Sequence, residues 1–181
     1  MSKHIIKPFE LLLEYEKRSV SHALGSSTDE GELGDWSGIG FKIGDMYLVT
    51  QVDDINEVVI LPELVRIPGI DNWVLGLVNI RSNLIPAIDL RAYLTGESSK
   101  LTKHTRMLVI NQPGGHAGLV VDEVFGQRHF KHSEGIDIEG DDASRVYSYC
   151  DKFFSHDDVN WNVFVMDQLV QDTNFQNASI K

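Results

Sequence analysis

The spacing nearest to a metal-ligand pattern in this chain is His129 and His132, three residues apart. No Cys/His pair or glutamate stands at the matching offset, and zinc needs three or four convergent ligands. The pair therefore predicts no metal site. Cys150 is the only cysteine and lies in a β-like run between Tyr149 and Asp151. A reactive thiolate needs an electropositive setting, so Cys150 reads as buried and inert. A single cysteine permits no internal disulfide and fits the cytoplasm. Serines and histidines occur without a Gly-x-Ser-x-Gly elbow. Neither a phosphate-cradling Gly-x-x-x-x-Gly-Lys loop nor a dinucleotide fingerprint is present, and Gly38-Ile39-Gly40 reads as a backbone bend.

Three acidic or basic candidates have structural readings instead. His22 falls on a predicted helix, but a lone short helix lacks the bundle that would orient a phosphotransfer histidine. Asp89 sits in an apolar run where a phosphoacceptor could stand; its position predicts the cap of a short helical turn. The acidic stretches 53–57 and 137–142 lack EF-hand spacing. The residues thus predict no catalytic centre, no metal and no cofactor. The enzyme alternative is a small β-barrel with a site assembled in space from residues such as His116, Asp122 and His129. A deep polar pocket with shifted pKa values would be its mark.

The richest stretch is 73–94, two apolar runs broken by the polar corner Arg81-Ser82-Asn83. Strand-length runs bounded by turn-compatible residues predict a β-hairpin. Its tip offers one fixed cation, Arg81, which suits an anchor for a partner's carboxylate. The elements around it are mostly strands. Phe41 and Ile43, then Tyr47 and Val49, bracket a Gly44-Asp45 turn. Val52–Leu61 is a second β-rich stretch, and Pro62 and Pro68 mark a connection. A short helical turn, Asp89 to Leu94, is stopped by Gly96.

Met107–Ile110 and Ala117–Val121 form another hairpin, which Val124–Phe130 extends. Ile136 and Ile138 read as anchors of an acidic loop. Val146–Phe154 and Trp161–Val165 are further strands, Met166–Val170 begins a C-terminal helix, and the polar end frays from Asn174. Many short strands and few helices predict a barrel or sandwich. At the N-terminus, Pro8, Phe9, Leu12, Leu13, Val20, Ala23 and Leu24 predict an amphipathic helix over 8–24, and 25–38 reads as a flexible linker.

The 181 residues carry a formal net charge of −11. That balance speaks against nucleic acid or anionic lipid and favours a basic protein partner. No apolar run reaches the roughly 18 residues of a membrane span, and the first residues lack a signal-peptide pattern. The expected organisation is an N-terminal helix and linker over 1–35, a domain over 36–173, and a polar tail over 174–181.

The ordered motifs Gly-Asp-x-Tyr, Glu-Val, Arg-Ile-Pro, Trp-Val-x-Gly-x-Val-Asn-Ile-Arg, Ile-Pro-x-Ile-Asp-Leu-Arg and Gly-Leu-Val-Val-Asp-Glu-Val resemble CheW-like adaptor domains. The likeness runs from about Trp36 to Met166. The N-terminal Pro-Phe-x-Leu-Leu helix, the Trp36–Phe41 entry and the Trp161-Asn162-Val163-Phe164 end resemble the branch serving type IV pili and twitching motility. The resemblance implies a mostly β fold of two packed, five-stranded, SH3-like barrels. It also implies a non-catalytic scaffold, joining the cytoplasmic tip of a methyl-accepting chemoreceptor to the regulatory domain of a CheA-type histidine kinase, with self-association in arrays possible. Carried over by position, Arg81, Val78, Asn79 and Ile80 match the hairpin motif of the receptor-facing region. Ile55 and Glu57 match a strand associated with partner contacts. The family's glycine after the arginine is Ser82 here, which moves the left-handed turn position to Asn83.

Overall fold

The computed structural model describes residues 35–138, 145–156 and 158–177. The helix expected over 8–24, with His22, lies outside these residues. β1 (Asp35–Ile43) and β2 (Met46–Gln51) form the first hairpin, joined by a 3-10 turn, Val52–Asp54, to β3 (Ile55–Ile60). The last residues of the expected linker are therefore strand. β4 (Val74–Ile80) and β5 (Asn83–Asp89) make the second hairpin and run into α1 (Leu90–Thr95). β6 (Arg106–Gln112), β7 (Gly115–Val121) and β8 (Glu123–Lys131) follow. Then come the two-residue β9 (Ile136–Asp137), β10 (Cys150–His156), β11 (Val159–Phe164), α2 (Met166–Gln171) and α3 (Thr173–Gln176).

The strands form two sheets, ordered β8-β1-β2-β11-β10-β9 and β3-β6-β7-β5-β4. They correspond to two SH3-like subdomains. The first sheet has six strands rather than five, because β9 adds two residues to its edge through Ile136 opposite Phe153. It draws on both ends of the described chain, while the second sheet is continuous from β3 to β7. One parallel pair closes each sheet: β11 beside β2, and β5 beside β7.

Alternation explains the packing. On β6, Leu108 and Ile110 enter a core shared by both sheets, while Met107 and Val109 enter the second sheet's own core. β7 repeats this, with Leu119 and Val121 on the shared side and Val120 on the other. A strand buried on both faces reads as one continuous apolar run. On β1, Phe41 and Ile43 face the shared core, whereas Trp36 faces an aromatic cluster of Phe130, Phe154 and Trp161.

Several expectations need correction. β8 does not extend the β6–β7 hairpin. It leaves that sheet and pairs antiparallel with β1, from Asp35 opposite Lys131 to Lys42 opposite Glu123. The strand expected from Val146 begins only at Cys150, after a 3-10 turn over Tyr147–Tyr149. The Ile136 side chain is 52% exposed rather than buried, and the residue holds the loop only through its strand pairing with Phe153. The end past Asn174 does not fray at once, because Phe175 is buried in the shared core.

Candidate partner-binding site

The hairpin tip is tighter than its sequence suggests. β4 ends at Ile80 and β5 begins at Asn83, leaving a two-residue turn. Both turn residues are left-handed, Arg81 at φ 49° and Ser82 at φ 71°. A two-residue hairpin whose twist matches its strands requires positive φ at both positions. Asn83 therefore does not take the left-handed position; it pairs with Ile80 as the first residue of β5.

β3 and β4 are the two edges of the second sheet. The sheet curls, and the Arg81 Nη2 atom donates to Glu57 Oε2 at 2.7 Å. Arg81 is 80% exposed and Glu57 only 23%, so the carboxylate is held by the wall and the guanidinium reaches outward from it. Asn56 and Asn111 exchange amide hydrogen bonds of 2.8 and 3.1 Å beside the pair. Arg81, Glu57 and Asn56 border a cleft of about 250 Å³, lined also by Ile80, Asn83, Ile85, Val109 and His116. Its lining is mostly polar, with Ile80, Ile85 and Val109 as its apolar part.

The six expected contact residues divide by placement. Arg81, Glu57 and Ile80 meet at this cleft. Asn79 is exposed on the outer face, opposite Leu84. Ile55 is half-buried against the shared core. Val78 is fully buried and backs the hairpin from inside, so it offers a partner no surface. Asn56 of the cleft and its neighbour Asn111 went unread in the sequence, and His116 was read only as part of the enzyme alternative. Each is a lone polar residue in a β run, and only strand register brings them together.

The residues of the enzyme alternative are dispersed. His116 lines the cleft. The Asp122 carboxylate accepts the Gly44 N–H at 2.6 Å in the first hairpin. His129 lies on β8 opposite Ser37. Among the described residues, no three His, Cys, Asp or Glu side chains are grouped to hold a metal.

The shifted pKa values of Cys150, Asp172, Tyr93 and Tyr149 have structural causes. Burial, then Asp151, push the Cys150 thiol up to about 12. Asp172 joins α2 to α3 and receives the hydroxyls of Tyr149 and Tyr93 and the guanidinium of Arg145. Burial works against its charge, but those donors and the Asn174 N–H outweigh it and hold the carboxyl well below the usual range. Burial first, then hydrogen bonding, push both phenols up. This cluster clamps the C-terminal helices onto the domain. Asp89 is likewise a cap, as its position predicts: its carboxylate accepts from Ala92 N, Ser99 N and Ser99 Oγ at 2.7–3.0 Å.

Comparison with known proteins agrees with the fold. Residues 37–155 match the family model described as the CheW-like domain. The chain is 32% identical over 176 residues to Protein PilI of Pseudomonas aeruginosa, spanning 96% of this chain and 97% of that one. It is 32% identical over 110 residues to Chemotaxis protein CheW of Helicobacter pylori, spanning 61% of this chain and 66% of that one. The crystal structure of the scaffolding protein TtCheW from Thermoanaerobacter tengcongensis aligns with a TM-score of 0.64 at 20% identity. That alignment covers 72% of this chain and 89% of that one, and it is the fold that they share.

Proposed function

The chain belongs to the CheW-like family of non-catalytic scaffolds in chemotaxis-type signalling, and on that premise we propose that it couples a methyl-accepting chemoreceptor to a CheA-type histidine kinase in a pathway controlling type IV pili. The likeness to PilI over 96% of the chain supports the pilus assignment, because it reaches beyond the domain into the N-terminal segment. In this reading the organisation is an arm and linker over 1–35, the domain over 36–173 and a short tail. The protein works in the cytoplasm, and self-association in arrays is part of the role. Among the described residues, no helix is long and apolar enough to cross a membrane.

The observation that carries the site is the Arg81–Glu57 pair on a mostly polar cleft that also holds Ile80, Ile85 and Val109. An exposed guanidinium held by one carboxylate can exchange it for a partner's carboxylate at little cost, since exposed pairs are worth under about 1 kcal/mol. Ile80 supplies the desolvated centre, Arg81 and Glu57 the register, and Asn79 and Ile55 flanking contact.

Calorimetry with the purified kinase regulatory domain and, separately, the receptor tip tests this. Saturable binding with a negative heat-capacity change is expected. Arg81→Glu weakens the receptor interaction at least tenfold in a folded protein. A folded Arg81→Glu variant with unchanged receptor affinity overturns the site, and a wild-type protein that binds neither partner overturns the coupling role.

A further inference from the structure

On the first sheet, Tyr47, Phe125 and Trp161 pack mutually, with ring centroids 5.3–5.6 Å apart. Two cations lie over them. The Arg128 guanidinium is 5.2 Å from the Trp161 ring and 5.9 Å from Phe125, and the Lys42 ammonium is 5.2 Å from Tyr47.

This platform is built by two departures from regular structure. Between Gly40 and Phe41, the β8 partner steps from Gly126 to Val124, so Phe125 is the extra residue of a bulge. Bulges re-aim side chains, and this one places Phe125 in the triad. Gly40 leaves the room: a Cβ there would lie 2.7 Å from the Trp161 ring and 3.1 Å from Arg128 Cγ.

Arg81, Arg91 and Arg145 each meet a carboxylate. Arg128 meets none among the described residues, and its Nε is buried without a hydrogen-bond partner. Glu123, opposite Lys42 in register, lies 3.9 Å from His104. In a chain of net charge −11, an arginine laid on aromatic rings with no carboxylate partner among the described residues stands apart from Arg145, which lies over Tyr93 and meets Asp172. A planar guanidinium stacked on rings keeps its fork free for a bidentate carboxylate.

We propose that this platform docks an acidic segment of a partner protein, whose carboxylates pair with Arg128 and Lys42 while its stem lies on Phe125 and Tyr47. It belongs to the first sheet, whereas the Arg81 cleft belongs to the second. The overall negative charge repels an extended anionic surface such as a membrane. A short segment meets mainly the local cations, because charges beyond about 8 Å are screened at physiological salt.

The test is titration of the full-length protein with a twelve-residue peptide of alternating glutamate and threonine, followed by tryptophan fluorescence and amide NMR. The lysine–threonine counterpart and phosphatidylglycerol vesicles serve as comparisons. Expected is saturable, salt-sensitive binding of the acidic peptide, with shifts confined to residues around Lys42, Phe125, Arg128 and Trp161. Arg128→Gln should weaken it at least tenfold. Arg128→Lys, which keeps the charge and loses the fork, should fall between; their wild-type-like spectra check folding. Four results overturn the proposal: no binding, equal binding by a folded Arg128→Gln, binding to vesicles alone, or peptide binding only after Asp29, Glu30 and Glu32 are neutralised. The last would give the surface to the chain's own linker.

Discussion

Single residues here do different work from what their types suggest. Arg81 is the outermost charge of its hairpin, yet its ion pair with Glu57 adds little to stability. We expect Arg81→Ala to change the unfolding free energy by under about 1 kcal/mol, since exposed pairs contribute 0.2–1 kcal/mol; urea denaturation checks this beside the binding loss. Asp89 is the opposite case. It is 1% exposed and accepts three hydrogen bonds. Asp89→Ala removes a cap worth about 1 kcal/mol and leaves the Ser99 donors without their charged acceptor, each such bond worth about 1.5–3 kcal/mol. A loss of about 3 kcal/mol is expected in the same assay. Asp172 carries a pH dependence. Its carboxyl is held below its unfolded value, so its contribution is complete above about pH 5 and declines as pH falls through the ordinary carboxylate value of about 3.9 and below. Asp172→Asn should flatten that acid limb of the stability profile, as measured by thermal melts between pH 2 and 7.

At the scale of the element, the β4–β5 hairpin is the decisive piece. Its turn places a serine at φ 71°, in the left-handed region where a non-glycine residue is disfavoured by about 1–2 kcal/mol. Ser82→Gly should therefore stabilise the protein by about 1 kcal/mol, visible as a higher melting temperature. Affinity for the receptor should stay close to wild type, because Arg81 keeps its place. A destabilised Ser82→Gly would mean that the serine makes a compensating contact. α1 shows the same economy of local signals: Asp89 caps its start and Gly96, at φ 78°, ends it. Both signals stand in the sequence at the positions where they act.

Across the whole molecule, the two sheets are welded by the shared core. Phe41, Leu48 and Phe164 from the first sheet meet Ile88, Leu108, Ile110 and Leu119 from the second. Neither sheet can open without exposing the other. Leu108→Ala should cost about 2–5 kcal/mol. Unfolding followed by fluorescence of Trp161, in the first sheet's cluster, and of Trp73, against the shared core, should give one common midpoint for the two. Separate midpoints would show the subdomains to be independent.

Strands, turns and caps were legible because their causes are local. Apolar runs broken by Gly44-Asp45 and Pro113-Gly114, the Asp89 cap and the Gly96 stop each act within a few residues of themselves. Motif order carried the family, and with it the expectation of two barrels. What local pattern could not supply was pairing. Nothing in Val124–Phe130 says that it joins β1 rather than β7, since a strand's alternation describes its faces and not its neighbour. The Arg81–Glu57 contact spans 24 residues and the Tyr93–Asp172 contact 79. Such contacts arise only when sheets curl and close, so the elements and the adaptor family were readable along the chain, while the cleft, the Asp172 clamp and the Arg128 platform were decided by tertiary structure.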